Sequence, residues 1–123
     1  MAEIEVEFVT VERRFWSGTA SMVVAKTSEG EIGIQAGHEP LLGELDAAGT
    51  VTVYTDEGRR VAAVQGGFLS VTANKVSILG EAAEWSDAID RTAAERELSE
   101  AGDDASASAT ARGRLLAIDK AGA

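Results

Sequence analysis

The sequence predicts a mainly β protein with an α-helical appendage: an N-terminal antiparallel β-sandwich, or flattened barrel, followed by a C-terminal two-helix antiparallel hairpin. Three observations carry this. Residues 3–84 hold ten of the thirteen glycines, together with many β-branched residues and recurrent turn signals. Within that stretch the apolar residues alternate with a period of two. After Trp85 the period changes to that of a helix. At 123 residues the chain is long enough for one modest core and a small addition, and the expected units are 1–84 (sandwich) and 85–123 (hairpin).

Glu3-Ile4-Glu5-Val6-Glu7-Phe8 places three carboxylates on one face of a strand and Ile4, Val6 and Phe8 on the other, the pattern of a half-buried strand. The phase slips at Val9, where Val9 and Val11 take the parity of the glutamates, as a bulge or a strand end would produce. Ser21 to Thr27 reads as a more fully buried strand, and Thr50 to Thr55 alternates again. Asp56-Glu57-Gly58 supplies a hairpin turn into Arg60 to Val64, and a second hairpin runs from Phe68 to Thr72 through Ala73-Asn74 to Lys75 to Leu79. Short strands repeated at this spacing suggest two packed sheets.

Past Trp85, Ser86 or Asp87 is the expected N-cap of a first helix reaching Ala101, with acidic residues in its first turn and Gly102 as its stop. Asp103 or Asp104 caps a second helix on which Ala107, Ala111, Leu115 and Ile118 form a stripe facing Ala94, Leu98 and Ala101. Residues 102–110 have the most linker-like composition. Because alanine buries little apolar area, the hairpin is expected to be weakly held and able to open without unfolding the sandwich.

Composition excludes several functions. Net charge is −10 and the basic residues form only short pairs, which opposes nucleic-acid binding and repels anionic lipid. There are no cysteines, hence no disulfides or thiolate metal sites. The N-terminus has the features of no signal peptide, and no stretch has the apolar length of a membrane span, so any membrane link is expected to run through other proteins.

Catalytic chemistry finds equally little support. His38-Glu39 resembles the start of a zinc-protease helix motif, but position 42 is Leu rather than a second histidine. Ser70 lacks the flanking glycines of a nucleophile elbow. The Glu3, Glu5 and Glu7 row reads as a solvated strand face. Gly30-Glu31-Ile32-Gly33-Ile34 has neither the spacing nor the lysine of a phosphate-cradling loop. No catalytic residue, metal or cofactor is expected.

The most informative segment is Gly30 to Leu42, a short strand leading into a loop shaped by Gly37 and Pro40. It closely resembles the signature of F-type ATP synthase epsilon subunits, a Gly-Glu-Ile-Gly-Ile strand followed by a Gly-His-x-Pro-Leu-Leu loop. Gln65-Gly66-Gly67-Phe68-Leu69-Ser70-Val71 is similar to a second segment of the same family, and the family's sandwich and hairpin cover nearly the whole chain. The resemblance implies a non-catalytic rotor subunit of a bacterial proton-translocating enzyme. It would bind the gamma subunit and the ring of c subunits, with the C-terminal helices reaching the alpha and beta subunits, at the cytoplasmic face of the plasma membrane.

By the same resemblance, Glu31, Gly33, Gly37, His38 and Pro40 belong to the rotor-interface loop. The family's nucleotide motif Ile-Asp-x-x-Arg-Ala is matched by Ile89, Asp90, Ala93 and Ala94, so its arginine is missing and nucleotide binding is not expected, with Arg91 or Arg96 as the substitutes on offer. The second helix inhibits ATP hydrolysis in parts of the family. Here Arg112, Arg114 and Lys120 are the available basic residues, which implies weak inhibition at most. Gln35-Ala36 replaces a hydrophobic-proline pair, implying a less rigid loop. Two other functions compete: a free nucleotide-sensing regulator, and a stand-alone sandwich that binds a sugar or protein through Trp16 or Trp85, although core packing explains either tryptophan as well.

Overall fold

The computed structural model describes residues 3–122; the outermost residues of the two expected units, Met1, Ala2 and Ala123, lie outside it. Eight strands precede two helices: β1 (Ile4–Thr10), β2 (Arg14–Ala20), β3 (Met22–Thr27), β4 (Gly30–Ile34), β5 (Leu41–Glu44), β6 (Gly49–Thr55), β7 (Gly58–Thr72), β8 (Lys75–Trp85), α1 (Arg91–Ala101) and α2 (Ala105–Gly122). The strands hydrogen-bond in the order β2-β1-β8-β7-β6-β3-β4, with β5 added on β7.

This continuous path folds into two layers because β7 and β8 are long enough to serve both. The first half of β7 pairs with β6 and with Ala82–Trp85 of β8, while its second half pairs with β5 and with residues 75–80 of β8. The sequence reading took β7 for two strands. It is one 15-residue strand that turns a corner at Gly66 and Gly67, whose φ values are 55° and 120°. A Cβ on Gly67 would lie 1.9 Å from the Leu79 carbonyl oxygen, and one on Gly80, the partner of Gly67, would lie 2.7 Å from Val64. Two strands bend together only because neither carries a side chain at the crossing.

The expected antiparallel sandwich forms, with one parallel pair. β1 runs parallel to β8, Glu5 opposite Lys75 and Phe8 opposite Ile78. Parallel neighbours cannot be joined by a tight turn, and here most of the sandwich separates them in sequence. The slip at Val9 is a bulge in the β1–β2 hairpin, where Phe8 pairs with Trp16 but Val9 pairs with Arg14.

Between the layers Ile4, Val6 and Phe8 meet Val23, Ile34, Val51, Val53, Leu69, Val71, Val76 and Ile78, all at most 1% exposed. Phe8 meets Phe15 at a tilt of 53° and Phe15 stacks on Trp85, each with 4.8 Å between ring centroids, and Trp16 meets Trp85 edge-on. The Arg60 guanidinium lies 3.8 Å above Trp85, a cation–π contact. Both tryptophans are therefore committed to closing one end of the sandwich.

The hairpin starts later than expected. Ser86–Ala88 forms a single 3₁₀ turn, Ile89 is extended, and Asp90 caps α1 by accepting from the Ala93 amide. Ser86 and Asp87 do not cap it, and no acidic residue lies in its first turn. Ile89 is buried beneath the hairpin, and holding it there keeps the backbone extended. Gly102 ends α1, and Asp104 caps α2 by accepting from the Ala107 amide at 3.0 Å. The linker-like composition of residues 102–110 therefore does not mark a long linker, since α2 begins at Ala105.

The expected stripe on α2 holds at Ala111, Leu115 and Ile118 but not at Ala107. Ala107 is exposed, whereas Ala109, Ala111, Gly113 and Ala117 are buried and Leu115 and Ile118 flank them. The smallest residues sit deepest because α2 rests directly on backbone. A Cβ on Gly113 would lie 3.2 Å from the Ala48 carbonyl carbon.

Gly67→Ala should cost about 3 kcal/mol or more, since both φ and the Leu79 carbonyl forbid a side chain. Gly66→Ala, with open space around it, should cost about 1–2 kcal/mol for the left-handed backbone alone. Urea unfolding of the two variants tests this ordering.

Candidate interaction surfaces

The two outer faces of the sandwich differ. On the layer formed by β6 and the first half of β7, Val61 and Ala63 point outward and are buried with Ile89, Ala94 and Ala117 of the hairpin segment. On the layer formed by β1, β8 and the second half of β7, no helix covers the outer face. Phe68 pairs with Glu44 on one side and Leu79 on the other, and Leu79 pairs with Val9. These four residues form one row across four strands. Leu42, two residues from Glu44, extends the apolar part. Leu42 is 74% exposed, Phe68 53% and Leu79 52%.

Large side chains left in water on neighbouring strands mark a surface made to be covered. Carboxylates of Glu44 and Glu7 border it, and Lys75 lies 4.0 Å from Glu7. The sequence reading missed this row, although a signal was present: Phe68-Leu69 and Ile78-Leu79 put apolar residues on both faces of their strands, and Val9 broke the alternation of β1.

The Gly30–Leu42 segment crosses from the edge of one layer to the edge of the other. Glu31 and Gly33 are exposed on edge strand β4, and Gly37, His38 and Pro40 form the loop into β5. Gly37 has φ 85°, which only glycine adopts readily, and its amide donates to the Ala73 carbonyl at 2.9 Å, tying the loop to the β7–β8 turn. Gly33 has ordinary φ, and its closest packing neighbour would be the Met22 sulfur at 3.8 Å, so the fold does not require glycine there. His38 is half-buried. Its Nδ1 donates to the Glu39 carbonyl at 2.7 Å, and its amide donates to Gln35. The loop leads directly into Leu42, so the expected interface residues and the apolar row are contiguous along the chain.

Glu31 is not free in this arrangement, because Lys120 near the end of α2 pairs with it. Arg114 pairs with both Glu84 of β8 and Glu97 of α1. Two of the three expected inhibitory-helix cations are thus engaged within the chain. Arg112 is exposed, and its Nε donates to Ser108 one turn back at 3.4 Å.

The matched nucleotide-motif positions are likewise spoken for. Ile89 and Ala94 are buried, the Asp90 carboxylate caps α1, and Ala93 stands where the motif has its arginine. Arg91 donates to Asp119 at 2.6 Å, which raises its pKa above an already basic value, first through that hydrogen bond and then through the charge. Among the described residues no group of His, Asp or Glu is arranged to hold a metal ion, and no helix is long and apolar enough to cross a membrane.

A sandwich with one bare apolar face, one face covered by a helical hairpin, and a shaped loop at the junction defines a docking module with an arm. Residues 3–86 match the family model for the β-sandwich domain of the ATP synthase delta/epsilon chain. The chain belongs to the ATP synthase epsilon chain family. It is 56% identical over 122 residues to the ATP synthase epsilon chain of Rhodococcus jostii and 55% identical to that of Rhodococcus opacus, covering 98% of this chain and 100% of each relative. A chain of the Euglena gracilis mitochondrial ATP synthase structure that includes F1 and the c-ring has the same fold, with a TM-score of 0.78 at 22% identity, covering 100% of this chain and 83% of that one.

Gly113→Val should lift α2 from Ala48 while leaving the sandwich intact, because overpacking costs about 1–3 kcal/mol. Limited proteolysis should then cut residues 102–110 about tenfold faster, tracking the open population, with sandwich strands as resistant as before.

Proposed function

We propose that this chain is a non-catalytic rotor subunit whose residues 1–84 dock on the gamma subunit and the c-subunit ring, while residues 85–123 form an arm that can reach the alpha and beta subunits. The complex sits at the cytoplasmic face of the bacterial plasma membrane, and the chain joins it peripherally, coupling proton flow to ATP synthesis. Family membership supports the assembly. The single observation that carries the docking reading is the Phe68, Leu79 and Leu42 row, apolar and exposed on a face that the chain itself leaves uncovered. Burying such residues against a partner supplies much of the energy of an interface.

Glu31, Gly33, Gly37, His38 and Pro40 form the ring-facing end of that surface. Gly37 and Pro40 set the loop path, the hydrogen bond from Gly37 to Ala73 anchors it, His38 offers a polar contact, and Glu31 offers another once Lys120 leaves it. The arm inhibits hydrolysis weakly, since Arg114 and Lys120 are held by carboxylates of this chain. Nucleotide does not bind to the hairpin, because Ala93 offers no guanidinium to a phosphate and Asp90 is used as a cap.

The double variant Phe68→Glu/Leu79→Glu should weaken binding to the gamma subunit about 100-fold, as loss of two interface anchors does, with unchanged melting because both side chains are exposed. Normal assembly of this variant would overturn the docking assignment. Removal of residues 103–123 should raise ATP hydrolysis by less than the roughly fivefold at which allosteric coupling is usually recognised. Calorimetry of the whole chain should find ATP affinity no tighter than about 1 mM.

A further inference from the structure

We propose that Arg114 is the latch of the hairpin: the first two turns of α2 open on their own, and the whole hairpin leaves the sandwich only when Arg114 leaves Glu84 and Glu97. The inference stands on geometry and does not depend on the docking partner.

Two observations divide α2 at this residue. Ahead of Gly113 the buried residues of the helix are only the alanines Ala109 and Ala111, which bury little area, and open clefts border the helix. An open cleft of about 380 Å³ lies between Ala107, Thr110 and Ala111 and the end of α1 at Glu97 and Glu100, and another of about 330 Å³ lies between Ala105, Ser106 and Ala109 and the sandwich at Ala47, Gln65 and Gly66. From Gly113 onward the helix is seated on the Ala48 backbone and on Val61 and Ala63. Arg114 stands at the boundary.

The guanidinium is also where three elements meet. Arg114 is 16% exposed at the side chain, and its Nε lies 3.0 Å from Glu84 Oε1. Nη2 donates to Glu84 Oε2 at 3.3 Å, and Nη1 donates to Glu97. One cation from α2 therefore joins a carboxylate of β8 to a carboxylate of α1. Its planar fork permits this, whereas a lysine is a point charge. The Nε is buried and not aligned for a hydrogen bond, so that atom meets water only when the group leaves.

The other ionic contacts have more exposed cations. Arg91 and Asp119 are 47% and 62% exposed at the side chain, and Lys120 and Glu31 are 32% and 47%, in the range where ion pairs contribute little. Removing Arg114 breaks two contacts at once, to Glu84 and Glu97, which are 42% and 53% exposed at the side chain, whereas Arg91 and Lys120 each hold a single carboxylate.

Amide hydrogen exchange on the full-length chain tests the latch. In the unmodified protein residues 107–110 should exchange at least about tenfold faster than 115–120, as separate opening units do. Arg114→Met, which keeps the aliphatic stem, should speed exchange at 115–120 by about 10-fold, bringing both halves together, while β6 and β7 stay unchanged. Arg114→Lys should fall between. Glu84→Gln/Glu97→Gln, altering exposed groups only, should reproduce Arg114→Met, and Arg91→Met or Lys120→Met should change exchange less than about threefold. The latch is refuted if Arg114→Met leaves 115–120 unchanged, if the strands accelerate equally, or if Lys120→Met has the same effect as Arg114→Met.

Discussion

The structure depends on one steric constraint, the crossing of β7 and β8 at Gly67 and Gly80. With a Leu79 carbonyl 1.9 Å from where a Cβ would stand, the two strands can lie this close only without side chains. Their joint bend turns one continuous sheet into two layers. Each long strand then presents two different outer faces, one along each half. Near Val61 and Ala63 that face receives the hairpin; near Phe68 and Leu79 it remains bare. The difference between the two outer faces therefore originates in the joint bend of these two strands.

Much of this was legible in the sequence where a periodic pattern had to satisfy one buried face. Ile4, Val6 and Phe8 are wholly buried opposite the exposed or half-buried carboxylates of Glu3, Glu5 and Glu7, and the Asp56-Glu57-Gly58 and Ala73-Asn74 turns join the strands expected. The parallel β1–β8 pair was not legible, because pairing between distant strands leaves no mark within either one. Nor was the seating of α2. A helix of alanine and glycine has little hydrophobic contrast around its circumference, so the choice between the Ala107 and Ala109 faces is made by the shape of the surface beneath it.

Charge was the least legible level. Arg114 and Lys120 stood out as free cations in a helix, and both are engaged by carboxylates far away in sequence. The interface loop shows the opposite situation. Local order and spacing around Gly37 and Pro40 encode the turn almost completely, and the hydrogen bond from Gly37 to Ala73 adds only its anchorage. The distinction is between information carried by neighbouring residues and information created when the chain folds.

The parallel pairing of β1 with β8 also bears on how the chain acquires its structure during synthesis. β1 can form a hairpin with β2 as soon as both are made, but its other edge has no partner until residues 75–80 follow. Completion of the sandwich must therefore wait for nearly all of its own length, a non-local closure of the kind that slows folding. The surface beneath the helical arm is built from β6 and β7, both of which precede the arm in the chain. The arm thus follows in sequence the platform on which it rests.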